Sequence, residues 1–102
     1  MIHVIAEIDI NEGRRSAFLE EFNGVVPLVL NEDGCLEYSA TIDAHTEIDR
    51  QAPLRTDTVT IVEKWSGIEA LQAHLDSGHM ATYRERVKNH VAGATLRILE
   101  PA

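Results

Sequence analysis

The sequence has a single cysteine, Cys35, among 102 residues. A lone thiol cannot build a disulfide framework or a multi-cysteine zinc site. Basic residues are also scarce. Nine lysines and arginines stand against 17 acidic residues, for a formal charge of −8. A nucleic-acid binder needs a basic surface to neutralise phosphates, and docking on anionic membranes needs the same. The balance argues against both roles and gives no reason to expect a polyanionic substrate. No apolar run approaches the roughly 20 residues of a membrane span. The first ten residues, MIHVIAEIDI, alternate and carry acids, unlike the basic start and continuous apolar core of a signal peptide. The expectation is a cytoplasmic protein. Phosphate loops, dinucleotide fingerprints and serine elbows are missing too, so no bound flavin, nicotinamide or ATP is expected.

What is present suits one domain spanning residues 1–102. A chain this short buries a modest share of its surface, so a second subunit would help it. Ile2, Val4, Ala6, Ile8 and Ile10 alternate with polar residues and predict a half-buried strand. Asn11 is a candidate cap for the helix after it. Phe18, Phe22, Val25 and Val29 recur at spacings of four, three and four, one face of a helix over about 12–31. Pro27 inside it removes a backbone donor and predicts a kink or a division. Cys35 to Asp43 alternates again, with Leu36, Tyr38, Ala40 and Ile42 on one face and Cys35 on the other. Residues 44–57 are polar and aperiodic, a long loop. Thr58 to Trp65 is rich in β-branched residues and reads as a strand.

Ser66-Gly67-Ile68-Glu69 matches a capping box, which predicts a helix to about Leu75. Asp76-Ser77-Gly78 interrupts it. Met80, Tyr83, Val87 and Val91 then form a second helical stripe, ended by Gly93, before a last strand from Ala94 to Glu100. The order strand, helix, strand, strand, helix, strand is the α+β, ferredoxin-like βαββαβ pattern. It implies an antiparallel sheet with helices on one face. The other face keeps Ile5, Cys35 and Val62, which predicts a second sheet packed against it.

Glu63 shares a strand face with Val59, Ile61 and Trp65, all of which favour burial. A carboxylate there needs a partner, or its pKa rises. The next segment offers His74 and His79 as partners. Two readings fit these residues: a structural Glu–His tie, which the residue types alone favour, or a pair that keeps an imidazole basic beside a tryptophan wall. His79 comes after Ser77-Gly78 at a helix start, where the dipole favours a neutral ring; an exposed or capping role fits as well. Tyr38 and Tyr83 lie on apolar faces, as core residues or as hydroxyls reaching a pocket. Cys35 reads as packing. No histidine pair has zinc-ligand spacing. His74 and His79 are five apart, off one helix face unless the Ser77-Gly78 break re-aims the chain. No metal is expected.

Several segments carry a family resemblance: VIAEI at Val4–Ile8, VPLVLNEDGCLEY at Val26–Tyr38, IVEKWSGIEALQAHLDSGHMATY at Ile61–Tyr83, and LRILEP at Leu96–Pro101. Together they resemble the antibiotic biosynthesis monooxygenase superfamily, and within it the bacterial quinol monooxygenase branch. The resemblance covers nearly the whole chain outside Ala44–Thr56. It implies a homodimer of ferredoxin-like subunits whose sheets pack face to face as a dimeric barrel.

The resemblance also implies cofactor-independent oxidation of a hydroquinone-like or polyphenolic substrate by O2. A dry pocket, a base and hydrogen-bond donors would suffice. His74 or His79 would be the base and Glu63 its orienting group. Trp65, Tyr38 and Tyr83 would bind the small aromatic substrate. A haem-degrading branch carries an asparagine and a histidine where this chain has Ile8 and Arg84, which argues against haem. Two other functions remain open. One is isomerisation of a small phosphorylated carbonyl compound, which needs a cationic cluster. The other is a non-catalytic dimeric ligand-binding module.

Overall fold

A computed structural model describes every residue from Met1 to Ala102. The elements are β1 (Ile2–Ile10), α1 (Arg15–Leu30), β2 (Cys35–Thr41), β3 (Thr58–Trp65), α2 (Ile68–Leu75), α3 (Gly78–Val87) and β4 (Val91–Leu99). The strands form one sheet in the order β2-β3-β1-β4, and every neighbouring pair is antiparallel. This is the ferredoxin-like α+β arrangement. No helix is long and apolar enough to cross a membrane.

The alternation in β1 and β3 sorts side chains as the pleat requires. Val4, Ala6, Val59, Ile61 and Trp65 turn toward the helices, where they meet Phe18, Phe22, Val25 and Val29 of α1 and Tyr83 of α3. Phe22 stacks on Tyr38 with ring centroids 5.2 Å apart. On the opposite sheet face Ile5 and Val62 are half-buried.

Local signals and tertiary context diverge at several points. Asn11 does not cap α1. A turn intervenes, with Gly13 at φ 77°, and the Asn11 side chain donates instead to the Asn89 carbonyl at 3.1 Å. Pro27 leaves α1 undivided. The donor it lacks would have served Asn23, and both residues are exposed, so water can replace that bond. Ser66 is not a helix cap either. Gly67 takes that position with no side-chain hydrogen bond, and the Ser66 N–H donates to the Gly34 carbonyl at 2.8 Å. Ser77 does cap α3, its hydroxyl accepting from the Met80 N–H at 3.4 Å. The stripe that predicted a helix through Val91 stops at Val87. Val91 pairs with Ile10, because hydrogen bonds to β1 outcompete another helical turn, and Gly93 lies within β4 rather than before it.

The strand face of Cys35 is also corrected. Cys35 pairs with Trp65, whereas Glu37 pairs with Lys64. The ladder skips Leu36, as at a β-bulge, which resets the alternation. Cys35 therefore shares the helix-side face with Tyr38, and Leu36 is exposed. The long loop after β2 is pinned by Arg55, whose guanidinium donates to Asp43 at 2.9 and 3.0 Å and to Glu7 at 3.2 Å.

Candidate active site

Glu63 occupies the helix-side face of β3 and is 5% exposed. Two residues along the same strand face, Trp65 donates its Nε1–H to Glu63 Oε1 at 2.9 Å. Burial pushes the Glu63 carboxyl up to about 7; the nearby Glu32 charge adds to the rise, and the indole bond opposes it. The expected contact between Glu63 and a histidine is not formed. The indole of Trp65 is the partner.

Both histidines turn to Glu32 instead. Glu32 lies in the turn between α1 and β2. Its Oε2 is 2.9 Å from His74 Nδ1 and 2.8 Å from His79 Nε2. The spacing of five permits this because α2 ends at Leu75 and α3 begins at Gly78. The break redirects the chain, so two helices present one imidazole each to the same oxygen. Glu32 is a site residue missed in the sequence. A turn acid belongs to no hydrophobic period, so nothing local marks the direction in which it points.

A carboxylate oxygen only accepts, so each imidazole is assigned as donating the N–H it presents to Glu32. His74 is 1% exposed. Burial depresses its pKa, and the bond to Glu32 opposes that fall. The ring is held against the Tyr38 ring at 5.3 Å and the Trp65 ring at 4.6 Å between centroids. With its proton on Nδ1, the other nitrogen, Nε2, carries a lone pair.

A cavity of about 400 Å³ opens between the sheet and α3. Its walls are largely apolar, with Tyr38, Glu63, His74 and Tyr83 among the lining residues. The two tyrosine hydroxyls and His74 Nε2 have no hydrogen-bond partner within the protein. No buried polar side-chain atom is sealed away without one, so these three atoms keep some contact with solvent, and all three residues line the cavity. Burial raises the pKa of both tyrosines, with the Glu63 charge adding to it. Both are neutral donors at ordinary pH.

Trp65 and His79 are placed otherwise than expected. Trp65 is fully buried and lies behind Glu63 rather than in the cavity wall. His79 borders a second cavity of about 340 Å³, between α1 and α3, together with Leu28 and Arg86. Tyr83 borders both cavities. Glu32, His74 and His79 are also the residues that could hold a metal ion, with their ligand atoms all within 4.8 Å of one another.

Known proteins share this chain's sequence pattern and its fold. Residues 1–86 match the antibiotic biosynthesis monooxygenase family. A protein of Escherichia coli K12 named "Probable quinol monooxygenase YgiN" is 39% identical, covering 99% of this chain and 98% of its own. The solved structures of PA3566 from Pseudomonas aeruginosa (TM-score 0.81, 21% identity, 99% of this chain and 93% of that one) and of Rv0793 from Mycobacterium tuberculosis (TM-score 0.81, 22% identity, 99% and 94%) have the same fold. The chain belongs to the antibiotic biosynthesis monooxygenase family.

Proposed function

We propose that this chain is a cofactor-independent monooxygenase that oxidises a hydroquinone-like or polyphenolic substrate with O2. One observation carries the reading: Tyr38, His74 and Tyr83 line one largely apolar cavity, and their two hydroxyls and His74 Nε2 lack protein partners without being sealed from solvent. A hydroxylated aromatic ring suits such a lining. Its faces match the apolar walls, and its oxygens match the unpartnered polar atoms.

In this reading His74 Nε2 accepts a phenolic proton. Glu32 holds the ring through Nδ1–H and stabilises the imidazolium that forms. Tyr38 and Tyr83 donate to the oxygen left negative. That anion is the reductant and O2 the oxidant. One oxygen atom enters a ring C–H position, as a hydroxyl on the quinone formed from a hydroquinone or as a carbonyl where the ring carries one phenol, and the other leaves as water, with four electrons passing from substrate to dioxygen. Glu63, titrating near 7, is a second proton carrier in the cavity wall. His79 acts through Glu32 rather than on the substrate.

The chain works as a single unit and, we propose further, as a homodimer in the cytoplasm. β4 is an edge strand, and its Leu96, Ile98 and Leu99 are each close to half exposed. Light scattering that finds only monomers would remove this part of the reading.

The activity is tested by oxygen uptake with purified, metal-free protein and menadiol, using 18O2 to follow the oxygen. The expected result is uptake well above the spontaneous rate, with one labelled atom in the product. Hydrogen peroxide with no label in the product would mean an oxidase instead. No enhancement across several hydroquinones would favour a non-catalytic binding module. The isomerase reading draws support from Arg84 and Lys88 at the cavity, although Arg84 is already held by the Leu75 carbonyl at 2.6 Å.

A further inference from the structure

Three separate elements deliver Glu32, His74 and His79 to one point: the turn after α1, then α2, then α3. A single carboxylate oxygen there faces two imidazole nitrogens at 2.8 and 2.9 Å. The positions now filled by two N–H protons are those a metal ion would take. Two neutral imidazoles and a carboxylate are the donor set of borderline first-row divalent ions, zinc foremost.

We propose that Glu32, His74 and His79 bind one divalent transition-metal ion such as Zn2+, and that its binding reverses the His74 tautomer presented to the cavity.

The dimensions are close to those required. Tetrahedral zinc with ligands at about 2.0–2.1 Å places its donor atoms roughly 3.4 Å apart. Two edges of the present triangle must open by about half an ångström, and its donor atoms already lie within 4.8 Å. The ion has a way in. The side chains of His79 and Glu32 are 26% and 14% exposed, and His79 borders the second cavity, which has room for a completing water. The charges facing the site are Glu32 itself, Glu63, and Arg84 from α3. Arg84 is turned to the Leu75 carbonyl, and the charge that favours a cation is that of the Glu32 carboxylate itself.

Coordination uses the lone pair on His74 Nδ1, so the proton there leaves to solvent. A neutral ring then takes one proton on Nε2, with no net proton change. The atom open to the catalytic cavity turns from acceptor to donor. This last step rests on the reading of His74 as the base; metal binding itself does not.

The test uses the untagged, metal-free full chain titrated with Co2+, tracked by its visible ligand-field absorption, with Zn2+ as competitor. The expected result is one Co2+ per chain in a low-symmetry, four- or five-coordinate spectrum, displaced by one Zn2+. His79→Ala and Glu32→Ala should each weaken binding roughly tenfold or more, whereas His45→Ala, in the distant loop, should not. His79 is part-exposed, so His79→Ala keeps the test meaningful if a buried variant unfolds. Imidazole 15N spectra should show His74 moving from Nδ1–H to Nε2–H as Zn2+ is added. Absence of the Co2+ bands, or binding indifferent to His79→Ala and Glu32→Ala, overturns the site. Binding without the His74 change overturns the coupling. Each readout is independent of oxygenase activity, so a failed activity assay leaves it standing.

Discussion

His74 donates its Nδ1–H to Glu32 Oε2 over 2.9 Å although 42 residues separate them. This bond sets which nitrogen of His74 is basic, and the adjacent cavity makes that matter. Glu32→Gln should therefore lower kcat by about 100-fold with KM little changed, because the amide holds the ring but cannot stabilise an imidazolium. Steady-state oxygen uptake with a hydroquinone checks this. An unchanged kcat would remove Glu32 from the mechanism.

Glu63 contributes to stability with a definite sign. Its folded pKa, about 7, lies above its ordinary value of 4.5. The stability tied to its neutral form is fully present below 4.5 and is lost as pH rises through 7. The difference is about 3 kcal/mol, taking about 1.4 kcal/mol per pKa unit. Glu63→Gln should therefore gain stability relative to wild type at pH 8 and not at pH 4.5. Urea denaturation at both values measures it. His74 acts in the opposite sense: its pKa is depressed, so its contribution is present above 6.5 and fades as pH falls. Trp65→Phe removes the one bond that lowers the Glu63 pKa, and 13C-detected titration should show its midpoint moving upward.

The tyrosine hydroxyls separate binding from folding. Neither has a protein partner to lose, so Tyr38→Phe and Tyr83→Phe should each change stability by no more than about 0.5 kcal/mol. Both should raise KM or lower kcat several-fold if the hydroxyls meet substrate. Thermal melts paired with kinetics decide the matter. Variants that destabilise without altering kinetics would make these tyrosines core residues only.

Gly34 has φ +81°, and a Cβ there would stand 2.5 Å from Ser66 Oγ and 2.6 Å from Ala70 Cβ. Gly34→Ala should cost about 2–4 kcal/mol, combining left-handed strain with overlap. Gly13 has a similar φ of +77° but open space around it, so Gly13→Ala should cost about 1 kcal/mol. Equal losses in urea denaturation would mean that close approach to Ser66 is unimportant. Because Gly34 adjoins Glu32 in the same turn, its variant should also disturb the His74 bond, visible in the imidazole 15N spectrum.

Residues with a regular period were legible in the sequence. The twofold alternation of β1 and β3 and the α1 stripe of Phe18, Phe22, Val25 and Val29 each arise from one apolar face seeking cover, a property of neighbouring residues alone. Glu63 was legible for the same reason, as a carboxylate on an apolar face. Its partner was not. Trp65 was equally available in the sequence, but only the side-chain packing shows its indole turned back to Glu63. The face of Cys35 was misjudged because one skipped residue at Leu36 resets a period of two, and skipping depends on the partner strand. Asn11 and Ser66 carry cap signals that longer-range hydrogen bonds override. Local sequence thus determined the strands, the main helix and the tension at Glu63. Only tertiary structure decided that His74 and His79 meet Glu32, because a turn side chain has no period to reveal its direction and its partners arrive on two helices that the chain break swings together.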